Sequence, residues 1–260
     1  MKTLITFVAC LLVALSTNAQ DWAKARLNKS PRHQEWAKVK SGNRTLDCFI
    51  VYPEVKDKAT AVLVIHEVFG LTDWVKGVCD QLAEAGYIAI APDLLAGKTF
   101  EDVSGAMKAT YALPEKQVTA DLDAAAKHVL DLPSCNGKLV VAGFCWGGGQ
   151  SFKYAAHNKD LKASFVFYGA PDKKELPKVV ASVSCPVYGF YGGNDNRITS
   201  TVKPTEEQMK AAGKTYEPVV YEGAGHGFMR AGEAPDANAD NKKAHDEAWQ
   251  RWKQLLAKYR

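Results

Sequence analysis

The chain has 260 residues, 47% of them hydrophobic and 24% charged, with a formal net charge of +4. That is the composition of a folded domain with a sizeable core, which excludes a disordered or fibrous chain. The small excess of positive charge gives no footprint for nucleic acid or another polyanion.

At the N-terminus Lys2 precedes the apolar run "LITFVACLLVAL", and "STNAQ" follows with the small residues Thr17 and Ala19. This reads as a secretory signal peptide over residues 1–20. The run is about 12 residues, short of the roughly 20 that cross a bilayer as a helix. The expectation is export to the periplasm or the extracellular space, without stable membrane association. Cleavage would remove Lys2 and no acid, lowering the charge to +3, and would leave Cys48, Cys79, Cys135, Cys145 and Cys185. An odd count in an exported chain leaves at least one thiol unpaired.

Residues 21–33, "DWAKARLNKSPRH", are polar and expected to pack loosely. The basic residues Lys24, Arg26, Lys29, Arg32, Lys38 and Lys40 are interleaved with apolar ones and fit a solvated segment. Alternation in "QEWAKVK" and "TLDCFIVY", with "SGNR" between, predicts an antiparallel hairpin over 34–52. Apolar runs without polar alternation follow at 61–66, 87–91, 138–144, 163–168, 186–192 and 217–223. Such runs predict strands buried on both faces of a parallel sheet.

Helical spacing lies between the runs. Val75, Val78, Cys79 and Leu82 share one face of 72–85, which ends at Gly86. Val118, Leu122, Ala125 and Val129 do so in 115–131, and Ala244, Ala248, Trp252 and Leu255 in 239–258. Alternating strands and helices, with no linker or repeat, predict one doubly wound α/β domain over 21–260 with helices on both faces of a mostly parallel sheet.

Sites in such sheets lie beyond the carboxyl ends of the strands. The segment "GFCWGG" places Cys145 where the G-x-S-x-G elbow has its nucleophile, with Gly143 and Gly147 two positions to either side. Alone, the stretch reads about equally as a buried structural thiol, since cysteine is among the most buried residue types. Asp195 in "YGGNDNR" and His226 in "EGAGHGF" end later strands, and the order Cys145, Asp195, His226 is that of an α/β-hydrolase triad. A thiol needs an imidazole to take or hold its proton, and the imidazole needs a carboxylate to fix its tautomer.

Together, "VIHEVFGL" (64–71), "APDLLAG" (91–97), "GFCWGGG" (143–149), "YGGNDNRI" (191–198) and "AGHGFMR" (224–230) resemble the dienelactone hydrolase family, cysteine-nucleophile α/β-hydrolases, over roughly residues 34–258. The resemblance implies nucleophile Cys145, base His226, orienting Asp195, and Glu67 as the carboxylate that contacts the resting thiol. It also implies oxyanion donors in the backbone N–H groups of Val68 and Trp146, and a substrate-carboxylate grip in Arg230. A buried carboxylate needs a partner, and an ion pair to a nearby lysine is the plain alternative for Glu67.

No metal or cofactor is implied: "HEVFG" has Gly70 where H-E-x-x-H needs its second histidine, and Pro92 spoils a phosphate loop in "PDLLAGKT". The sequence departs from the family at the second carboxylate-binding arginine. Residues 94–142 contain none, leaving Lys98 or Lys108 as possible point-charge substitutes.

The expected function is hydrolysis of a small ester or lactone through an acyl-thioenzyme. Two alternatives stand beside it. One is a thioesterase or peptide-ester hydrolase with the same triad; the other is a catalytically silent hydrolase fold that binds ligands or senses redox state through Cys145.

Overall fold

The apolar runs of the sequence become neighbours in one eight-stranded sheet. The protein is described by a computed structural model covering residues 20–260, so the predicted signal peptide, save its last residue, lies outside the described residues. In chain order come helix α1 (Asp21–Leu27), strands β1 (Gln34–Ser41), β2 (Arg44–Val51) and β3 (Ala59–Ile65), helix α2 (Asp73–Glu84), strand β4 (Ile88–Pro92), helices α3 (Val103–Tyr111) and α4 (Glu115–Leu130), strand β5 (Cys135–Phe144) and helix α5 (Trp146–His157). The second half holds β6 (Ser164–Phe167), α6 (Leu176–Ser182), β7 (Val187–Gly192), α7 (Asn196–Thr199), α8 (Val202–Ala211), β8 (Tyr216–Tyr221), α9 (Phe228–Ala231) and α10 (Ala239–Leu256).

The strand order is β1-β2-β4-β3-β5-β6-β7-β8. The first hairpin is antiparallel, β2 joins β4 antiparallel, and every later pairing is parallel. All residues of β3, β4, β6 and β7 are buried, as runs without alternation require when helices cover both faces. Two apolar layers flank the sheet. One gathers α4, α5 and α6 residues such as Leu122, Phe152 and Val180; the other gathers α1, α2 and α10 residues such as Leu27, Leu82 and Trp252.

Two segments differ from the sequence reading. Residues 21–27 form a packed helix, not a loose tail: Ala23 and Leu27 are buried, and Arg26 pairs with Glu233. Gln20 Oε1 accepts the Trp74 N–H at 3.0 Å, meeting an orphan donor at the start of α2. Strand β8 is the sheet edge and is only half-buried, with Val220 44% exposed. A short apolar run does not by itself tell an edge strand, covered on one side, from a central strand buried on both faces.

The parallel strands place their carboxyl ends on one rim. Glu67 follows β3, Cys145 follows β5, Asp195 follows β7 and His226 follows β8, so four distant segments meet there. No disulfide joins the described cysteines. Cys48, Cys79, Cys135 and Cys185 are buried, and burial pushes the Cys48 and Cys185 thiols up to about 12, keeping them neutral and inert. Cys145 alone among the five is half-buried.

Candidate active site

Cys145 sits between β5 and α5 with φ 56° and ψ −117°, a left-handed conformation that a side chain adopts only at a cost. The tightness of this turn explains the glycines. A Cβ on Gly143 would lie 1.9 Å from the Gly147 carbonyl oxygen, and one on Gly147 would lie 2.4 Å from those of Ile65 and His66. These neighbours are backbone and cannot swing aside. We expect Gly143→Ala to destabilise the fold by about 2 kcal/mol through overpacking, measured by denaturant unfolding.

His226 bridges the other two groups. Its Nε2 lies 3.1 Å from Cys145 Sγ and its Nδ1 lies 2.5 Å from Asp195 Oδ2. Asp195 is 8% exposed and its backbone carbonyl accepts the Ile198 and Thr199 N–H groups, closing the turn that aims its carboxylate. The β7 and β8 loops are tied together where Asn194 donates from its side chain to the Gly223 carbonyl and from its backbone to that of Ala224. Asn241 on α10 accepts the Gly225 N–H at 2.9 Å and anchors the histidine loop. Burial lowers the imidazole's proton affinity, but the bonds to Asp195 and Cys145 outweigh it and raise the His226 pKa from 6.5 to about 9.

Of the expected oxyanion donors, Trp146 directly follows Cys145 and Val68 follows β3, the strand beside β5. No described group accepts from the backbone N–H of Val68 or of Trp146, the first residue of α5. His66 supports this turn: it is fully buried, burial keeps it neutral, and its Nδ1 lies 2.6 Å from the Glu67 carbonyl oxygen. Its ring stacks at 5.8 Å on the Trp146 indole, which walls the cleft.

Glu67 is 2% exposed and has a partner, though neither a lysine nor the thiol. Arg230 Nε donates to Glu67 Oε2 at 2.9 Å, and the guanidinium lies 5.2 Å over the Phe69 ring. The Glu67 charge raises the Arg230 pKa against the effect of burial. The sequence separation of 163 residues hides this pair from any local reading. Tyr168 completes the surroundings. Its φ is 39°, its buried hydroxyl meets no hydrogen-bond partner among the described residues, and its ring meets His226 edge-on at 5.2 Å. Burial, and then the neighbouring Glu67 charge, keep the phenol protonated.

Cys145 opens into a cleft of about 630 Å³, walled by Tyr111, Leu113, Trp146, Tyr168 and Ile198. Arg230 instead lines a second cavity of about 430 Å³, between Phe69, Phe100 and the α1 residue Lys24. Neither Lys98 nor Lys108 lines either space, and both residues are exposed.

The comparisons with known proteins agree with one another. Residues 46–260 match the model of the dienelactone hydrolase family. A candidate carboxymethylenebutenolidase of Salmonella typhimurium is 34% identical over 244 residues, covering 85% of this chain and 86% of its own. One from Escherichia coli is 35% identical over 220 residues, 76% of each chain. The crystal structure of a candidate dienelactone hydrolase from Klebsiella pneumoniae superposes with a TM-score of 0.79 at 29% identity, covering 88% of this chain and 99% of that one. With its mostly parallel eight-stranded sheet on the α/β-hydrolase plan, the chain belongs to the dienelactone hydrolase family of carboxylic ester hydrolases.

Proposed function

We propose that the protein is an exported hydrolase of small esters or lactones that works through an acyl-thioenzyme on Cys145. The observation that carries this reading is the His226 bridge, 3.1 Å from the thiol sulfur and 2.5 Å from the Asp195 carboxylate. An imidazole of raised pKa lying 3.1 Å from the thiol sulfur is placed to exchange a proton with it, and a thiolate is the form of cysteine that attacks.

The thiolate attacks the substrate carbonyl carbon, and the N–H groups of Val68 and Trp146 receive the developing oxyanion. Collapse of the tetrahedral intermediate breaks the carbon–oxygen ester bond, and the His226 imidazolium gives its proton to the departing oxygen. The neutral imidazole then takes a proton from water, whose oxygen attacks the thioester. The second intermediate expels the thiolate, and the acid leaves. For a lactone the alcohol and the acid are one molecule, released by the second step.

Mass spectrometry tests the intermediate. Protein quenched during turnover of 4-nitrophenyl acetate is expected to carry one acetyl group, on the peptide holding Cys145. Acetylation elsewhere, or none during a measured burst, would overturn the nucleophile assignment. Export rests on the leader reading, and N-terminal sequencing of the protein recovered from the periplasm or medium checks it.

The pH profile carries the sign of the histidine shift. His226 is held protonated up to about 9, so kcat/KM is expected to fall on the alkaline side as the general acid is lost. The same bonds contribute fold stability that is complete below 6.5 and lost as pH rises through about 9. In Asp195→Asn the alkaline limb moves to lower pH, because the charge and bond that raise the imidazole are gone. An unmoved limb would separate the profile from His226.

A further inference from the structure

The two backbone donors expected at the thiol, the N–H groups of Val68 and Trp146, come from different segments, the turn after β3 and the start of α5. One residue meets both. The His66 ring stacks on the Trp146 indole, with centroids 5.8 Å apart and planes at 25°, and its Nδ1 lies 2.6 Å from the carbonyl oxygen of Glu67. Its main chain abuts the same helix start, because a Cβ on Gly147 would lie 2.4 Å from the His66 carbonyl oxygen.

The Glu67 carbonyl belongs to the peptide unit whose nitrogen is that of Val68. A trans peptide is planar, with its N–H and C=O pointing opposite ways, so whatever holds the carbonyl aims the N–H. The Gly70 N–H donates to the same oxygen at 3.2 Å, and a carbonyl oxygen has two lone pairs to offer. One is taken by the turn and the other by the imidazole. Donors on the carbonyl also polarise the amide, which strengthens its N–H as a donor in turn.

The bond fixes the state of the ring. A carbonyl oxygen can only accept, so the proton of the neutral imidazole sits on Nδ1 and leaves Nε2 as a bare acceptor. Burial keeps the ring neutral against the opposing effects of the carbonyl bond and the Asp93 charge. His66 is fully buried, and Nε2 meets no hydrogen-bond partner among the described residues. An apolar side chain would fill this space without that cost, so what the imidazole supplies is the bond to the Glu67 carbonyl.

We infer that His66 is a positioning residue of the oxyanion site, holding the Glu67–Val68 peptide so that the Val68 N–H faces the oxygen of the carbonyl attacked by Cys145. The reaction in this inference rests on the hydrolase reading above; the hold on the peptide does not.

Two variants separate the bond from the ring. His66→Phe keeps an aromatic ring beside Trp146 and removes the donor, whereas His66→Asn loses the ring but sets its amide nitrogen where Nδ1 stood. With 4-nitrophenyl acetate, kcat/KM in His66→Phe is expected to fall about tenfold, less than the roughly hundredfold loss on removing an oxyanion donor outright. His66→Asn should recover most of it.

Two further rates distinguish positioning from general damage. Iodoacetamide alkylates the thiol at a saturated carbon and forms no oxyanion, so its rate in His66→Phe should stay within about twofold of wild type. The thionoester of the same substrate puts sulfur, a weak acceptor, where the oxyanion forms, so the preference for the oxygen ester should shrink about tenfold. Equal falls for ester and thionoester, or a matching fall in alkylation, would make His66 a structural residue and overturn the inference.

The wild-type protein supplies a test that needs no variant. NMR of protein carrying isotope-labelled histidine should show the His66 ring as the neutral Nδ1–H tautomer. The Nε2–H tautomer would overturn the inference, because Nδ1 would then have no proton to give. If the wild type cleaved neither ester, the hydrolase reading would fail and the oxyanion role with it, and the tautomer would still decide whether His66 holds the peptide.

Discussion

Cys145→Ala is expected to lower kcat for ester hydrolysis roughly ten-thousand-fold, because the covalent route closes and only binding and the oxyanion donors remain. Serine should restore little. Its hydroxyl is far less acidic than a thiol, so it needs a neutral imidazole as base, whereas His226 stays protonated up to about 9 in the pair with the thiol. Stability separates this role from a structural one. Cys145 is held at φ 56°, so Cys145→Gly should relieve strain and raise unfolding stability by about 1 kcal/mol while abolishing turnover. Kinetics with 4-nitrophenyl acetate and urea unfolding on the same preparations check both signs. Residual activity near wild type in the alanine variant would end the acyl-thioenzyme mechanism.

The strained turn was legible because strain leaves a compositional trace. Gly143 and Gly147 flank Cys145 in the sequence, and the structure sets backbone carbonyls where their Cβ atoms would be. The central strands were legible for a similar reason: burial on both faces removes polar alternation from β3, β4, β6 and β7. Helix α1 was hidden, since it is only seven residues long and Ala23 and Leu27, with Trp22 packed partly beside them, are too few to show a helical period among Asp21, Lys24 and Arg26. Helix α3 was hidden by the opposite pattern. It buries Ala106 and Thr110 and exposes Val103, Met107 and Tyr111, so its apolar periodicity marks the outer face.

At the rim, the sequence named the residues that end strands and the order Cys145, Asp195, His226 that His226 bridges, but not the pairing of Glu67. Glu67 and Arg230 carry no local sign of each other, and the resemblance pointed the arginine at a substrate. Tyr168 gave no signal because its φ of 39° belongs to a residue type that ordinarily avoids that region. These are properties of three-dimensional juxtaposition, which the linear order of residues does not encode.

The Glu67–Arg230 pair yields the largest expected effect on stability outside the thiol's own turn, and an asymmetric one. The Glu67 side chain is 3% exposed and that of Arg230 is 31% exposed, so the two ends lose different things when separated. Arg230→Gln strands a carboxylate in a nearly dry site, which costs about 3 kcal/mol of unfolding stability. Glu67→Gln leaves a guanidinium that the 430 Å³ cavity connects to solvent, which costs about 1 kcal/mol. The double variant should be more stable than Arg230→Gln alone, because the stranded charge is gone. Urea unfolding of the four proteins closes a double-mutant cycle, with an expected coupling of about 2 kcal/mol. Equal costs for the two single variants would mean that solvent reaches Glu67 as freely as Arg230. The carboxylate beside Cys145 would then owe its position to something other than this pair.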